Sequence, residues 1–221
     1  MSSPTVPHAW QVIVPVRGGP VGKSRLRSIE GRPLADPDRR ELALAMARDT
    51  VSAAVASSCG PVHVLTADDP VRALAADCGA AVVPDGGGGL NDELDRTVLS
   101  LAPADGVCVL LGDLPALRPA DLAEALDLAR ATEGRGVVVP DWQGTGTTLV
   151  ALASGRGGRV RFSFGTGSAE RHQRAGLVAA GLHLDRLRSD VDTSRAWDRA
   201  VRLGLGPASS ALRRRLLGLQ R

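Results

Sequence analysis

The chain has 221 residues, 43% hydrophobic and 23% charged, with a formal net charge of +3. That length suits one sizeable α/β domain, and the balance of apolar and charged residues excludes a wholly disordered chain. No apolar run reaches the roughly 20 residues of a membrane helix, and no basic-then-apolar leader opens the sequence. Cys59, Cys78 and Cys108 are scattered and offer neither a disulfide framework nor a CxxC clip, so a reduced, cytoplasmic protein is expected. Aromatic residues make up only 2% of the chain, too few for base-stacking platforms, so nucleic acid is not an expected partner, and without a long apolar run neither is a membrane. The small positive bias favours small polyanions instead.

Strand and helix signals alternate along the chain. Gln11-Val12-Ile13-Val14-Pro15-Val16 is a β-branched run that leads into a glycine-rich loop over residues 18–22. Asp36-Pro37-Asp38 reads as an N-cap, a first-position proline and a first-turn acid for a helix running to about residue 57, with Leu42 and Met46 on its buried face. A strand over 62–66, a helix over 69–78 and a short strand over 80–83 follow. The glycine tract 86–89 opens a helix over 91–101. The run 106–111 is almost wholly apolar, as a strand covered on both faces should be. A helix over 119–132 and a buried strand over 136–139 complete the pattern. Strands separated by helices of this length imply parallel pairing in a doubly wound, three-layer sheet.

The rhythm changes after Pro140. Residues 144–168 are dense in Gly and Ser and read as a binding segment inserted around the sheet. Helices are expected over 169–180 and 194–203. The tail 208–219 carries Arg213-Arg214-Arg215, read as a solvated terminal face.

Four segments carry candidate chemistry. The first, Arg17-Gly18-Gly19-Pro20-Val21-Gly22-Lys23-Ser24-Arg25-Leu26, ends in Gly-Lys-Ser, but the first glycine of a P-loop would fall at Arg17. A looser glycine-rich loop with Lys23 on a nucleotide's phosphates is expected, against a plain strand-to-loop turn. The second is Leu111-Gly112-Asp113-Leu114-Pro115. An aspartate leaving a buried parallel strand points into the crevice where open α/β sheets bind ligands, and its carboxylate suits Mg²⁺ shared with phosphates. The alternative is an aspartate that merely caps the next turn.

The third segment, Asp190-Val191-Asp192-Thr193, projects two carboxylates to one face of an extended segment, which suits a divalent cation. Alternatively Asp192 or Thr193 simply caps the helix from Ser194. The fourth pairs Gly144-Thr145-Gly146-Thr147-Thr148 with Phe164-Gly165-Thr166-Gly167-Ser168. Here glycines admit close approach while hydroxyls and N–H groups bind phosphate or carboxylate, and Ser168 sits at a helix start that could hold an anion or be only a cap. His172 has no nucleophilic or zinc pattern around it and reads as structural. Lys23, Asp113, the late acids and the anion-suited loops match the needs of phosphoryl or nucleotidyl transfer, which requires positioning, metal and cationic charge but no protein nucleophile.

Taken in order, Val14-Pro15-Val16, Gly22-Lys23-Ser24-Arg25-Leu26, Gly89-Leu90-Asn91, Gly112-Asp113-Leu114-Pro115, Gly144-Thr145-Gly146-Thr147, Arg171-His172 and Asp190-Val191-Asp192-Thr193 resemble the guanylyltransferases of coenzyme F420 biosynthesis, over residues 10–203. The resemblance implies a single three-layer, Rossmann-like nucleotidyltransferase domain over residues 1–221, with a mostly parallel mixed sheet and with 1–9 and 205–221 peripheral. It implies transfer of GMP from GTP to phosphoenolpyruvate or 2-phospho-L-lactate, with release of pyrophosphate and hand-over of the product to the next enzyme. The Ala- and Arg-rich composition points to a high-GC genome, and actinobacterial members use phosphoenolpyruvate, so that acceptor is expected.

Carried over by position, Lys23 and Arg25 would hold the GTP phosphates, while Gly89 and Asn91 would lie against the nucleoside. Asp113 and Asp190, with Asp192, would bind Mg²⁺, and Thr147, Gly165 and Ser168 would hold the acceptor acid. A molybdopterin or sugar-phosphate nucleotidyltransferase is the enzymatic alternative, and a GTP-binding regulatory module the non-enzymatic one.

Overall fold

The structure, a computed structural model, describes residues 10–17, 23, 25–101, 106–132, 134–153 and 161–219. Strand β1 (Trp10–Pro15) is buried along its whole length. A two-stranded hairpin follows, β2 (Ser28–Ile29) and β3 (Arg32–Pro33), and leads to helix α1 (Asp36–Ala56). The chain then alternates through β4 (Val62–Thr66), α2 (Asp69–Asp77), β5 (Ala81–Pro84), α3 (Leu90–Ser100), β6 (Gly106–Leu110), α4 (Pro119–Ala131) and β7 (Val137–Pro140). Strand β8 (Thr147–Ala153), helix α5 (Ser168–Arg174), strand β9 (Val178–Ala179), helix α6 (Ser194–Leu203) and helix α7 (Pro207–Leu217) complete it.

The main sheet has seven strands in the order β5-β4-β1-β6-β8-β7-β9. Strands β5, β4, β1 and β6 pair in parallel, β8 runs antiparallel to both β6 and β7, and β9 is parallel to β7. Alternation along the strands sends successive side chains to opposite faces. Val12, Val14, Val64, Cys108, Leu110 and Val139 pack with α1, α2 and α4. Ile13, Leu65, Val109, Val138 and Val150 pack with Leu94 of α3 and with Phe162, Phe164 and Leu177. These are the three expected layers, and they explain why the strands read as continuous apolar runs.

Helix α1 is buried on two sides. Ala47, Val51 and Ala54 face the sheet, while the expected Leu42 and Met46 pack with Trp197 and Leu212 of α6 and α7. Burying each of the two large side chains contributes about 1.5–3 kcal/mol. The tail expected at the periphery is therefore docked. Arg213, expected as a solvated residue, makes a two-pronged ion pair to Glu30 at 2.5 and 2.6 Å, and Arg215 pairs with Glu41.

Three local expectations are corrected. The cap of α1 is Ala35, one residue earlier than Asp36; Asp36 instead pairs with Arg39. The helix expected over 169–180 stops at Arg174, and the chain re-enters the sheet as β9. Most consequentially, the Gly- and Ser-dense segment after Pro140 contains a seven-residue strand, β8, buried over its first five residues and inserted between β6 and β7. Residues 1–9, 18–22 and 24 lie outside the described residues.

Candidate active site

Strand β4 flanks one side of β1 and β6 the other, so the chain reverses its direction of travel across the sheet at β1. Ligand crevices form at such reversals, at the carboxyl ends of the strands. Lys23 follows β1, and Asp113 follows β6. Gly112 brings these exits together: a Cβ there would lie 2.7 Å from Val16 Cγ2 and 3.1 Å from the Pro15 carbonyl oxygen.

At this crevice Lys23 Nζ donates to Asp113 Oδ2 and, at 2.7 Å, to Asp192 Oδ1. Arg25 reaches Asp192 Oδ2 at 3.2 Å. Lys23 adopts a left-handed backbone (φ 64°), a conformation that costs a non-glycine residue on the order of 1–2 kcal/mol. Burial alone would lower the Lys23 pKa, but the charges and hydrogen bonds of Asp113 and Asp192 raise it above the ordinary lysine value. The lysine is thus a fixed cation between two carboxylates. The Val191 N–H donates to the Asp113 carbonyl at 3.1 Å, tying the 190–192 segment to the end of β6.

The open alternatives of the sequence resolve here. Thr193 is the cap of α6, accepting from the Ala196 N–H at 3.2 Å, which leaves Asp192 in the crevice. Asp113 caps nothing: its Oδ2 faces Lys23, and its buried Oδ1 has no partner among the described residues. The Asp190 carboxyl is pushed up to about 8, first by burial and then by the charges of Asp113, Asp192 and Asp141.

Next to this cluster lies a cavity of about 470 Å³, whose walls include Thr147, Gly165, Ser168, Asp190 and Asp192. The three residues expected to hold the acceptor and the two late acids thus meet in one space. Ser168 is buried and its Oγ has no partner among the described residues, as befits a group kept for a ligand. The anion-binding role drawn from its helix start has little support, because α5 is only seven residues long.

Gly89 and Asn91 lie at the start of α3, and neither is among the cavity walls. The Asn91 side chain grips Phe164 at both ends, accepting from its N–H at 2.8 Å and donating to its carbonyl at 3.2 Å. As placed, Asn91 shapes the loop at Phe164.

Two features escaped the sequence reading. Asp141 leaves the apolar strand β7 just as Asp113 leaves β6, a signal that could have found it. Its carboxylate accepts from the N–H groups of Thr145 and Gly146, both at 2.9 Å, and so shapes the turn that delivers Thr147. Lys23 is also the only lysine in the chain, among otherwise arginine-only basic residues. In so biased a composition, a lone compact ammonium is a signal in itself.

Comparison with solved structures places the fold. The chain superposes on a structure described as a nucleotide-diphospho-sugar transferase from Desulfovibrio desulfuricans G20 with TM-score 0.68, 16% identity and 95% coverage of both chains. It matches a nucleotidyl transferase from Methanothermobacter thermautotrophicus with TM-score 0.54 and 17% identity, covering 88% of this chain and 98% of that one. These likenesses show the fold that the chain shares with such transferases. Residues 10–177 match the family described as guanylyl transferase CofC like, and the chain belongs to that family. Its relatives include a phosphoenolpyruvate guanylyltransferase of Streptomyces avermitilis, 42% identical over 94% of this chain and 95% of that protein. Another, of the same name, from Geodermatophilus obscurus is 41% identical over 93% and 94%. Among the described residues, no helix is long and apolar enough to cross a membrane.

Proposed function

We propose that this chain transfers GMP from GTP to phosphoenolpyruvate, releasing pyrophosphate, as a step in coenzyme F420 biosynthesis. The names of its relatives support the reaction. The observation that carries the acceptor site is the buried Ser168 hydroxyl, without a partner among the described residues, in the wall shared with Thr147, Gly165 and Asp190. A phosphate and a carboxylate on a three-carbon acid match such a set of hydroxyl and N–H donors. Its substrates are those of the cytoplasm.

The donor set also fits Mg²⁺. Asp113, Asp190 and Asp192 offer hard carboxylate oxygens, and Asp113 Oδ1 is buried without a partner among the described residues. Among the described residues no three such side chains gather closely enough to cage an ion unaided. That arrangement suits Mg²⁺, which takes one or two carboxylates and completes its shell with substrate phosphates and water. When bound, the ion would neutralise charge developing on the phosphates.

The chain's own residues do the positioning. Lys23 and Arg25 bring positive charge to the triphosphate, Lys23 exchanging its carboxylate partners for phosphate oxygens. Thr147, Gly165 and Ser168 orient the acceptor so that its phosphate oxygen meets the α-phosphorus in line with the departing pyrophosphate. The acceptor phosphate arrives already ionised, so no general base is required.

The test is pyrophosphate release from GTP and Mg²⁺ with each acid in turn. Phosphoenolpyruvate should support turnover. The planar and tetrahedral central carbons of the two acids differ by a contact worth only about 1–3 kcal/mol, so 2-phospho-L-lactate should react more weakly. Turnover of 2-phospho-L-lactate with none of phosphoenolpyruvate would reverse the acceptor assignment.

A further inference from the structure

Two pieces of chain bring the expected acceptor residues to the cavity: the start of β8, which supplies Thr147, and the loop leading into α5, which supplies Gly165 and Ser168. His172 of α5 stands between them, fully buried. The Ser163 N–H points at its Nε2 at 3.1 Å. A backbone N–H can only donate, so Nε2 is the acceptor nitrogen and the proton of the neutral ring sits on Nδ1. Burial, and then the charge of Arg171, pushes the His172 pKa down to about 4, so the neutral ring prevails at pH 7.

Nδ1–H then donates to Thr147 Oγ1 at 3.1 Å. That contact settles the Thr147 hydroxyl. Its oxygen accepts from the imidazole, and its own proton has no acceptor among the described residues, while the side chain lines the cavity. The hydroxyl is left as a hydrogen-bond donor for an incoming anion. The same ring packs edge-on to Phe164, with centroids 5.2 Å apart. Arg171, the preceding residue, holds the loop from outside by donating to the carbonyls of Ser163 at 2.7 Å and Thr166 at 2.5 Å. A purely structural histidine would need only the Ser163 and Phe164 contacts. Here the second ring nitrogen also addresses the hydroxyl of Thr147, on a separate strand that lines the cavity.

We propose that His172 is a positioning residue for the acceptor: it fixes the Thr147 hydroxyl as a donor into the cavity and ties the Ser163–Ser168 side of the cavity to β8. The inference rests on the reading that Thr147 contacts the acceptor acid. A hydrogen bond to a charged group is worth about 1.5–3 kcal/mol, or roughly 10- to 100-fold in affinity.

The experiment is steady-state kinetics with GTP, Mg²⁺ and phosphoenolpyruvate on His172→Phe, His172→Asn, Thr147→Val and the Thr147→Val/His172→Phe double variant. His172→Phe keeps the ring against Phe164 but removes both hydrogen bonds. It should raise the KM for phosphoenolpyruvate about 10-fold or more, with the KM for GTP and kcat changing less than about threefold. His172→Asn retains a donor and an acceptor on one side chain, so it should recover part of the loss. It also serves as the test if the phenylalanine variant does not fold. Because His172 acts through Thr147, adding His172→Phe to Thr147→Val should raise KM by less than about threefold more.

Fully multiplicative effects, or equal losses in both KM values and kcat, would reduce His172 to a structural residue and overturn the proposal. So would a normal phosphoenolpyruvate KM in both His172 variants when Thr147→Val is impaired. An unimpaired Thr147→Val would instead remove Thr147 from the acceptor site, and the role of His172 would fall with it.

Discussion

Replacing Lys23 by Met keeps an unbranched side chain of similar length and the same left-handed backbone, but deletes the charge between Asp113 and Asp192. The Lys23 side chain is 14% exposed, Asp113 19% and Asp192 41%, so the pair with Asp113 is largely buried and the one with Asp192 only partly so. Breaking a buried pair by removing one partner costs about 3–5 kcal/mol, whereas exposed pairs are worth 1 kcal/mol or less. The geometry lies between these limits. Arg25, 76% exposed, is the remaining cation on Asp192 and screens little of the charge on Asp113. A loss of about 2–3 kcal/mol follows, which for a chain of this length lowers Tm by roughly 5–10 °C.

The same reasoning predicts recovery by a divalent cation. An ion that binds only the folded state at 100 times its Kd contributes about 2.7 kcal/mol. Mg²⁺ without GTP should therefore raise the Tm of Lys23→Met more than that of the parent, in which the ion must compete with the ammonium group. Turnover should stay low throughout, because the triphosphate has lost its lysine. Thermal melts at pH 7.5, with and without Mg²⁺, measure both effects. A variant that melts within 2 °C of the parent without metal, or whose deficit Mg²⁺ leaves untouched, would refute the account of Lys23 as the fixed counter-ion of these carboxylates.

Asp113→Asn should lose on the order of 10²-fold or more in kcat/KM while retaining its fold, because the residue lies at a strand end and Asn preserves its size; near-normal turnover at saturating Mg²⁺ would exclude it from the reaction. Arg215→Ala should leave turnover unchanged, since it removes an exposed pair with Glu41 on the outer helices, whereas Arg213→Ala should lower Tm by a few degrees through loss of the two-pronged grip on Glu30. His172 is held neutral in the fold with its pKa near 4, below the ordinary value near 6.5. The unfolded chain therefore takes up a proton first on acidification, and a contribution of up to about 3 kcal/mol, complete above pH 6.5, is lost as the pH falls towards 4. Denaturant titrations of the parent and His172→Asn across that range should show the parent losing stability more steeply, and parallel curves would contradict the assignment.

Much of this molecule is written locally. The β-branched and apolar runs of β1, β4 and β6, the Gly and Pro punctuation between them and the buried pair Leu42 and Met46 are all properties of short windows, so periodicity reports them. Asp113 belongs to the same class, because an aspartate at the end of a buried strand has only one crevice to face. The acids at 190 and 192 were readable as a pair, although which residue capped α6 was not. That choice between Asp192 and Thr193 depends on where Lys23 pulls the carboxylate.

The fold-level pairings were not readable in this way. Strand β8 has an apolar run of its own, but its place between β6 and β7 and its antiparallel direction depend on strand edges contributed by distant residues. The same holds for β9, where a helical pattern gave way to the free edge of β7. At the site, Lys23 finds partners 90 and 169 positions away, and His172 finds Thr147 25 positions back. Sequence by itself determined which chemical groups were available and at which strand ends they would emerge. Tertiary structure alone decided which of them met, because hydrogen bonds and ion pairs act over a few ångströms of space and carry no trace of their separation along the chain.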